Sequence, residues 1–146
     1  MTTIRNLLTL ASVLVLAACS GGDSPTSPVP STGGSTASSS SHNAGADCQR
    51  CHSFSVAGTV YRTDGVTPYP GAIIRVTSGT GGTGAALVSL TADAAGNFYT
   101  NAAVSFGSGL YAVATGTTGS TRAKQAAITS GACNRCHVSG SRIVAD

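Results

Sequence analysis

Glutamate and tryptophan are absent from this chain of 146 residues, and lysine and methionine occur once each, as Lys124 and Met1. Only 9% of the residues are charged, and the formal charge of +3 comes from bases scattered singly along the sequence. Without a basic cluster there is no electrostatic footprint for a nucleic acid, and none is expected as a partner. The same scarcity of charge excludes a highly charged disordered chain. The five aspartates are the only acids and no two lie close in sequence, so paired-carboxylate acid/base catalysis has no candidates. The longest apolar stretch, Leu7 to Ala18, is well short of the roughly 20 residues that span a bilayer as a helix. The length leaves room for one small domain. What the chain does contain is 19 glycines, five cysteines and three histidines.

The N-terminus has the build of an export signal. Arg5 precedes the apolar stretch, which ends in Leu16-Ala17-Ala18-Cys19-Ser20. This ending resembles the bacterial lipoprotein signal, which implies cleavage after residue 18, a diacylglycerol thioether on Cys19, and a lipid-anchored protein at the outer membrane or cell surface. An ordinary secretory signal with Cys19 as an incidental thiol is the alternative; both readings export the chain. Cleavage removes Arg5 and leaves seven bases against five acids. Residues 19–41 then carry the lipidated cysteine and a tether. Ser, Gly, Pro and Thr fill 19 of the 22 positions from Ser20 to Ser41, a composition with too little apolar surface to offset ordering entropy. A flexible chain of that length reaches roughly 25 Å.

From residue 54 the texture becomes a series of short β-type runs. Phe54 to Arg62, Ala72 to Ser78, Ala86 to Ala92, Phe98 to Phe106 and Leu110 to Thr115 are separated by Gly, Pro, Asp and Asn turn signals. Ala72, Ile74 and Val76 share one face of their run, as do Ala86, Val88, Leu90 and Ala92 of theirs. This pattern predicts a mainly β fold, a small antiparallel sandwich. Gly58-x-Val60, Pro68 to Val76 (P-x-P-G-A-x-I-x-V), Asp93 to Phe98 (D-x-x-G-x-F) and Gly109 to Val113 (G-x-Y-x-V) resemble the carboxypeptidase regulatory-like, or transthyretin-like, β-sandwich over residues 54–116. That resemblance implies a scaffold and no catalyst; its core is poor in aromatics and of marginal stability.

Two pentapeptides flank this module, Cys48-Gln49-Arg50-Cys51-His52 and Cys133-Asn134-Arg135-Cys136-His137. Both read C-x-x-C-H, a pattern expected by chance roughly 0.003 times in a chain of this composition. It is the attachment sequence of c-type haem: two thiols three positions apart reach the two porphyrin vinyl groups, and the next residue sets an imidazole under the iron. The chain thus resembles an exported dihaem c-type cytochrome. The resemblance implies two haems, thioethers at Cys48, Cys51, Cys133 and Cys136, and His52 and His137 as proximal iron ligands, in segments 42–53 and 117–146. Competing readings are a zinc site from both cysteine pairs, a disulfide across each pair, and a thioredoxin-like redox pair without its βαβ context.

Distal ligands are limited by count. After His52 and His137 only His42 remains, and Met1 leaves with the signal. The run His42 to His52 (H-N-x-G-x-x-C-x-x-C-H) resembles multihaem and outer-surface cytochromes of metal-respiring bacteria, where such a histidine is a distal ligand. Which iron His42 serves is open, including one in a neighbouring subunit. Lys124, nine residues before Cys133, is a candidate for the other distal position, with a surface lysine as the plainer reading. Arg50 and Arg135 lie within the motifs, where they either offset haem propionates or sit in solvent. The implied function is one-electron transfer with other cytochromes or extracellular acceptors, not enzymatic catalysis. Alternatives are a haem-based ligand sensor and a structural or adhesive β-module with secondary haems. An odd number of strands between the motifs would set the haems at opposite poles and make conduction depend on a homo-oligomeric chain or filament; an even number would pair them at one end.

Overall fold

The computed structural model describes residues 41–146, so the signal, Cys19 and all but the last residue of the tether lie outside the described residues. Eight strands form: β1 Val56–Tyr61, β2 Ile73–Thr77, β3 Ala86–Thr91, β4 Asn97–Thr100, β5 Tyr111–Thr115, β6 Thr121–Ala123, β7 Gly131–Ala132 and β8 Ile143–Val144. One sheet has the order β4-β1-β7 with β8 also on β1; the other has the order β3-β2-β5-β6. The fold is mainly β and sandwich-like, as the alternating runs predict. No helix among the described residues is long and apolar enough to cross a membrane.

The two sheets share one core. Val56, Val60 and Phe98 come from the first sheet and Ile74, Val76, Val88, Leu90 and Ala114 from the second, with Tyr69, Ala72, Ala92, Leu110 and Ala145 closing the ends. The predicted inward face of β2 is correct: Ala72, Ile74 and Val76 are buried while Ile73 points outward. On β3 the inward set begins only at Val88. A register shift against β2, between Val76 and Thr77, leaves Ala86 and Leu87 exposed, as a bulge does when two residues face one. The β4 run is shorter than expected, ending at Thr100.

The region expected to hold only the second motif also builds the sandwich. β6 extends the second sheet, while β7 and β8 both pair parallel to β1, at Val56–Ala57 and Val60–Tyr61 respectively. Between β7 and β8 the edge strand leaves β1 for the ten residues 133–142 and opens into a helical turn, α1 Cys133–Cys136. The second C-x-x-C-H is therefore an interruption of an edge strand. Its close approach depends on Gly58: a Cβ there would lie 2.8 Å from Cys133 Cβ and 2.6 Å from Phe98 Cζ.

Gly58→Val should therefore force apart β1, Phe98 and the second motif. We expect a loss of about 2–3 kcal/mol, read as a lower urea midpoint by circular dichroism. A midpoint equal to that of the unaltered chain would show that the motif does not sit against β1.

Candidate functional site

Both C-x-x-C-H sequences form a helical turn closed by the same hydrogen bond, the first as a 3-10 turn and the second as α1. The His52 N–H donates to the Cys48 carbonyl (3.0 Å), and the His137 N–H to the Cys133 carbonyl (2.9 Å). Each motif is thus one helical turn, in which positions three and four apart lie on a common face. Cysteine, cysteine and histidine are gathered on one side without any tertiary contact. The first turn, a 3-10 turn at Cys48–Arg50, begins at Asp47, whose Oδ1 accepts from the Gln49 N–H (3.2 Å). The second has no side-chain cap and is held by its neighbours instead.

The chief holder is Asn134, a variable position of the second motif that is only 3% exposed. Where the edge strand leaves β1, the Thr59 N–H would lack a ladder partner; it donates to Asn134 Oδ1 (3.0 Å). Asn134 Nδ2 donates to Thr59 Oγ1 (3.0 Å) and to the Ala46 carbonyl (2.8 Å), two residues ahead of the first motif. Thr59 Oγ1 also accepts from the Gly45 N–H (2.8 Å) and donates to Asn97 Oδ1 (2.6 Å). Asn97 Nδ2 in turn donates to the His42 carbonyl (3.1 Å) and to Ser41 Oγ (3.1 Å). Both donors of the Asn134 amide and every hydrogen-bonding capacity of the Thr59 hydroxyl are used. Sequence reasoning named none of these three residues as part of a site. The available signal was a threonine in the middle of an apolar strand run.

The network draws the two motifs together. Arg135 Nε lies 3.3 Å from Asp47 Oδ2, so Arg135 pairs with an acid next to Cys48. Seven strands separate the motifs, yet they are neighbours, which corrects the expectation that an odd count sets them at opposite poles. β7 does run parallel to β1, but it is two residues long and delivers Cys133 to the middle of β1. The segment before β1 doubles back along that strand, bringing Gly45 to Thr59. Strand parity fails when neither flanking segment stays at its strand's end.

The histidines occupy different settings. His42 and His52 face each other with ring centroids 5.9 Å apart and planes at 57°. Two imidazoles bonded to one metal from opposite sides, at about 2 Å per bond, have centroids roughly 6 Å apart. His52 stacks on Phe54 (4.9 Å) and Phe54 on Tyr99 (4.6 Å), a row along the outer face of the first sheet. His137 stands apart from this row. Its Nδ1 donates to the Ser141 carbonyl at 2.7 Å, since a carbonyl can only accept, and this leaves Nε2 as the lone-pair nitrogen. Metal-binding histidines are oriented in this way. The supporting loop is closed by Ser141 Oγ on the Cys136 carbonyl (3.1 Å) and by Arg142, stacked 4.3 Å over Tyr61 with Nη1 on the Gly65 carbonyl.

Beside the second motif a mainly apolar cleft of about 670 Å³ opens between β5–β6 and the residue 127–144 segment. Cys133, Cys136, His137 and Lys124 all lie in its wall, and the size falls within the range of cofactor sites. Lys124 is thus on the same cleft as His137, anchored to β5 through its N–H on the Ala112 carbonyl (2.8 Å). Arg50 is exposed.

Two of the thiols are shifted away from reactivity. Burial, with Cys48 close by, pushes the Cys133 thiol up to about 12, and burial also raises Cys48; a nucleophilic thiolate requires the opposite shift. Cys51 is disulfide-bonded, so a thioether at Cys51 requires prior reduction of that bond. No three His, Cys, Asp or Glu side chains among the described residues are grouped to hold a bare metal ion, which weighs against a four-cysteine zinc site. A haem would ask less of the chain, only thiols and imidazoles, because the porphyrin supplies four ligands. Compared with protein-family models, with curated proteins and with solved structures, the chain matches none.

Removing the Asn134 amide should leave the Thr59 N–H without a partner and the Ala46 carbonyl with only the Cys48 thiol. Asn134→Leu is expected to lose about 2–3 kcal/mol in urea unfolding, with faster hydrogen exchange at Thr59. Arg135→Ala breaks only a solvent-exposed ion pair and should change stability by less than about 1 kcal/mol. Equal losses for the two variants would show that the ion pair, not the buried amide, joins the motifs.

Proposed function

We propose that this chain is a dihaem c-type cytochrome, lipid-anchored at the cell surface, that carries single electrons between other cytochromes or extracellular acceptors. The observation that carries the reading is the convergence on one strand of two C-x-x-C-H turns, each closed by the histidine N–H on the first cysteine's carbonyl. In the second, the His137 ring is already fixed with Nε2 as its free nitrogen.

The haem supplies an iron that exchanges one electron between the ferric and ferrous states. The chain's part is attachment, orientation and spacing. Cys48, Cys133 and Cys136, and Cys51 once its disulfide is reduced, provide the thioether sulfurs. His52 is held by its stack on Phe54, and His137 by Ser141. Asn134 and Thr59 hold the two turns together, so that electron passage between the sites can occur within one chain, with no filament required. Export and anchoring rest on the residue 1–19 pattern.

The test is expression of the full chain in a host with haem-maturation machinery. We expect a red protein whose mass carries two tetrapyrrole increments, a pyridine haemochrome count of two per chain, and a reversible redox titration in two one-electron steps. Cys48→Ser with Cys51→Ser, or Cys133→Ser with Cys136→Ser, should each halve the haem count. A colourless, unmodified polypeptide from a host that matures a control cytochrome would overturn the proposal.

A further inference from the structure

The four bases on the wall of the cleft beside His137 are not alike. Arg122 pairs with Asp146 (3.4 Å) and Arg135 with Asp47 (3.3 Å). Arg142 lies 4.3 Å over the Tyr61 ring with Nη1 on the Gly65 carbonyl. The Lys124 amine has no hydrogen bond or ion pair among the described residues, and no acid lines the cleft to hold it. Its backbone is nevertheless fixed. The Lys124 N–H on the Ala112 carbonyl (2.8 Å) carries the β5–β6 ladder one step past the Val113–Ala123 pair. An unpartnered amine therefore stands on a rigid strand end, in the same wall as Cys133, Cys136 and His137.

Resting on the dihaem reading, we propose that Lys124 is the second axial ligand at the His137 site, so that one chain holds a His/His centre and a His/Lys centre. His42 and His52 face each other at the first site, the sequence has no fourth histidine, and its only methionine is Met1. In the cleft wall, Cys133 and Cys136 are committed to the thioethers. The three guanidinium groups do not deprotonate and offer no lone pair. The neutral hydroxyls of Thr129, Ser130 and Ser141 are weak donors to iron beside a nitrogen base. The lysine amine is the one strong donor left on that wall. Its flexible four-carbon stem gives it reach while the backbone stays on the ladder. Coordination uses the free amine, so the ammonium proton passes to solvent as the nitrogen–iron bond forms.

The test is low-temperature electron paramagnetic resonance of the ferric, full-length holoprotein in mildly acidic buffer, its haem count first fixed at two by pyridine haemochrome. Two low-spin centres per chain are expected for the unaltered protein. Lys124→Ala should turn one of the two high-spin, half of the total, and added imidazole should return it to low-spin. Lys124→Arg keeps the charge without a lone pair and should behave as Lys124→Ala does. Lys124→His should keep both centres low-spin, with altered g values at one. A high-spin centre in the unaltered protein would overturn the proposal. So would two low-spin centres in Lys124→Arg, which would make position 124 a partner for the haem carboxylates through charge alone. A count below two haems concerns the dihaem reading instead. The Lys124 side chain is exposed and its structural contact is made by the backbone, so all three variants should retain the unaltered unfolding midpoint, measured alongside.

Discussion

A single backbone N–H sets the geometry of this molecule. Where the edge strand turns away from β1, the Thr59 N–H faces a gap in a buried setting, and an unpaired donor there carries a penalty of about 1–3 kcal/mol. The Asn134 side chain fills the gap by acting as a one-residue strand. Because Asn134 lies inside the second C-x-x-C-H, repairing the ladder also fixes the motif on the sheet. Its amide then reaches the Ala46 carbonyl, and Thr59 Oγ1 receives the Gly45 N–H. Sheet integrity and the meeting of two distant sequence segments thus depend on the same atoms.

This arrangement separates scaffold from site. The buried core draws on both sheets, and of the two motifs only Cys133 packs against it. Small domains have little apolar surface with which to stabilise themselves, and one that used a cofactor as its core would unfold without it. Here the core residues of the two sheets pack on one another, while the site side chains stand on the outer face of the first sheet and in the cleft, whose wall includes the core residues Ile74, Phe98 and Ala114. The cost of orienting His137 is met during folding by the Ser141 loop and by Arg142 on Tyr61, so binding at that position orders little further.

The local features of this layout were legible in the sequence and the long-range ones were not. The first five strands follow from alternating apolar residues and turn signals, because pleat period and turn chemistry act within a few residues. The C-x-x-C-H turns are equally local, each closing a hydrogen bond over four residues. β7 and β8 escaped because each is two residues long and exists only by pairing with β1; Gly131-Ala132 has no β preference of its own. The nearness of the motifs escaped for a related reason. Counting strands treats segments as if they ended where their strands end, whereas Gly45 runs back to Thr59 and Cys133 enters beside Gly58. Asn134 and Thr59 look like an ordinary polar pair until the gap in the ladder is known.

The same geometry bears on how such a centre would respond to a change of charge. An electron carrier works best when its ligands move little between oxidation states, and movement is restrained where each ligand's ring is fixed by a second contact. His137 has that contact in the Ser141 carbonyl, and His52 has it in the face of Phe54, itself stacked on Tyr99. The restraints differ in kind. A carbonyl accepting from Nδ1 makes the imidazole a stronger electron donor, whereas a stacked ring fixes position with little electronic effect. Adding the unequal supply of imidazoles, the two centres differ in donor strength even though their pentapeptides share four chemical features out of five. On the dihaem reading, two unequal centres held against one strand would give electron passage a preferred direction within the chain, and the inequality would come from residues outside both motifs: His42, Phe54 and Ser141.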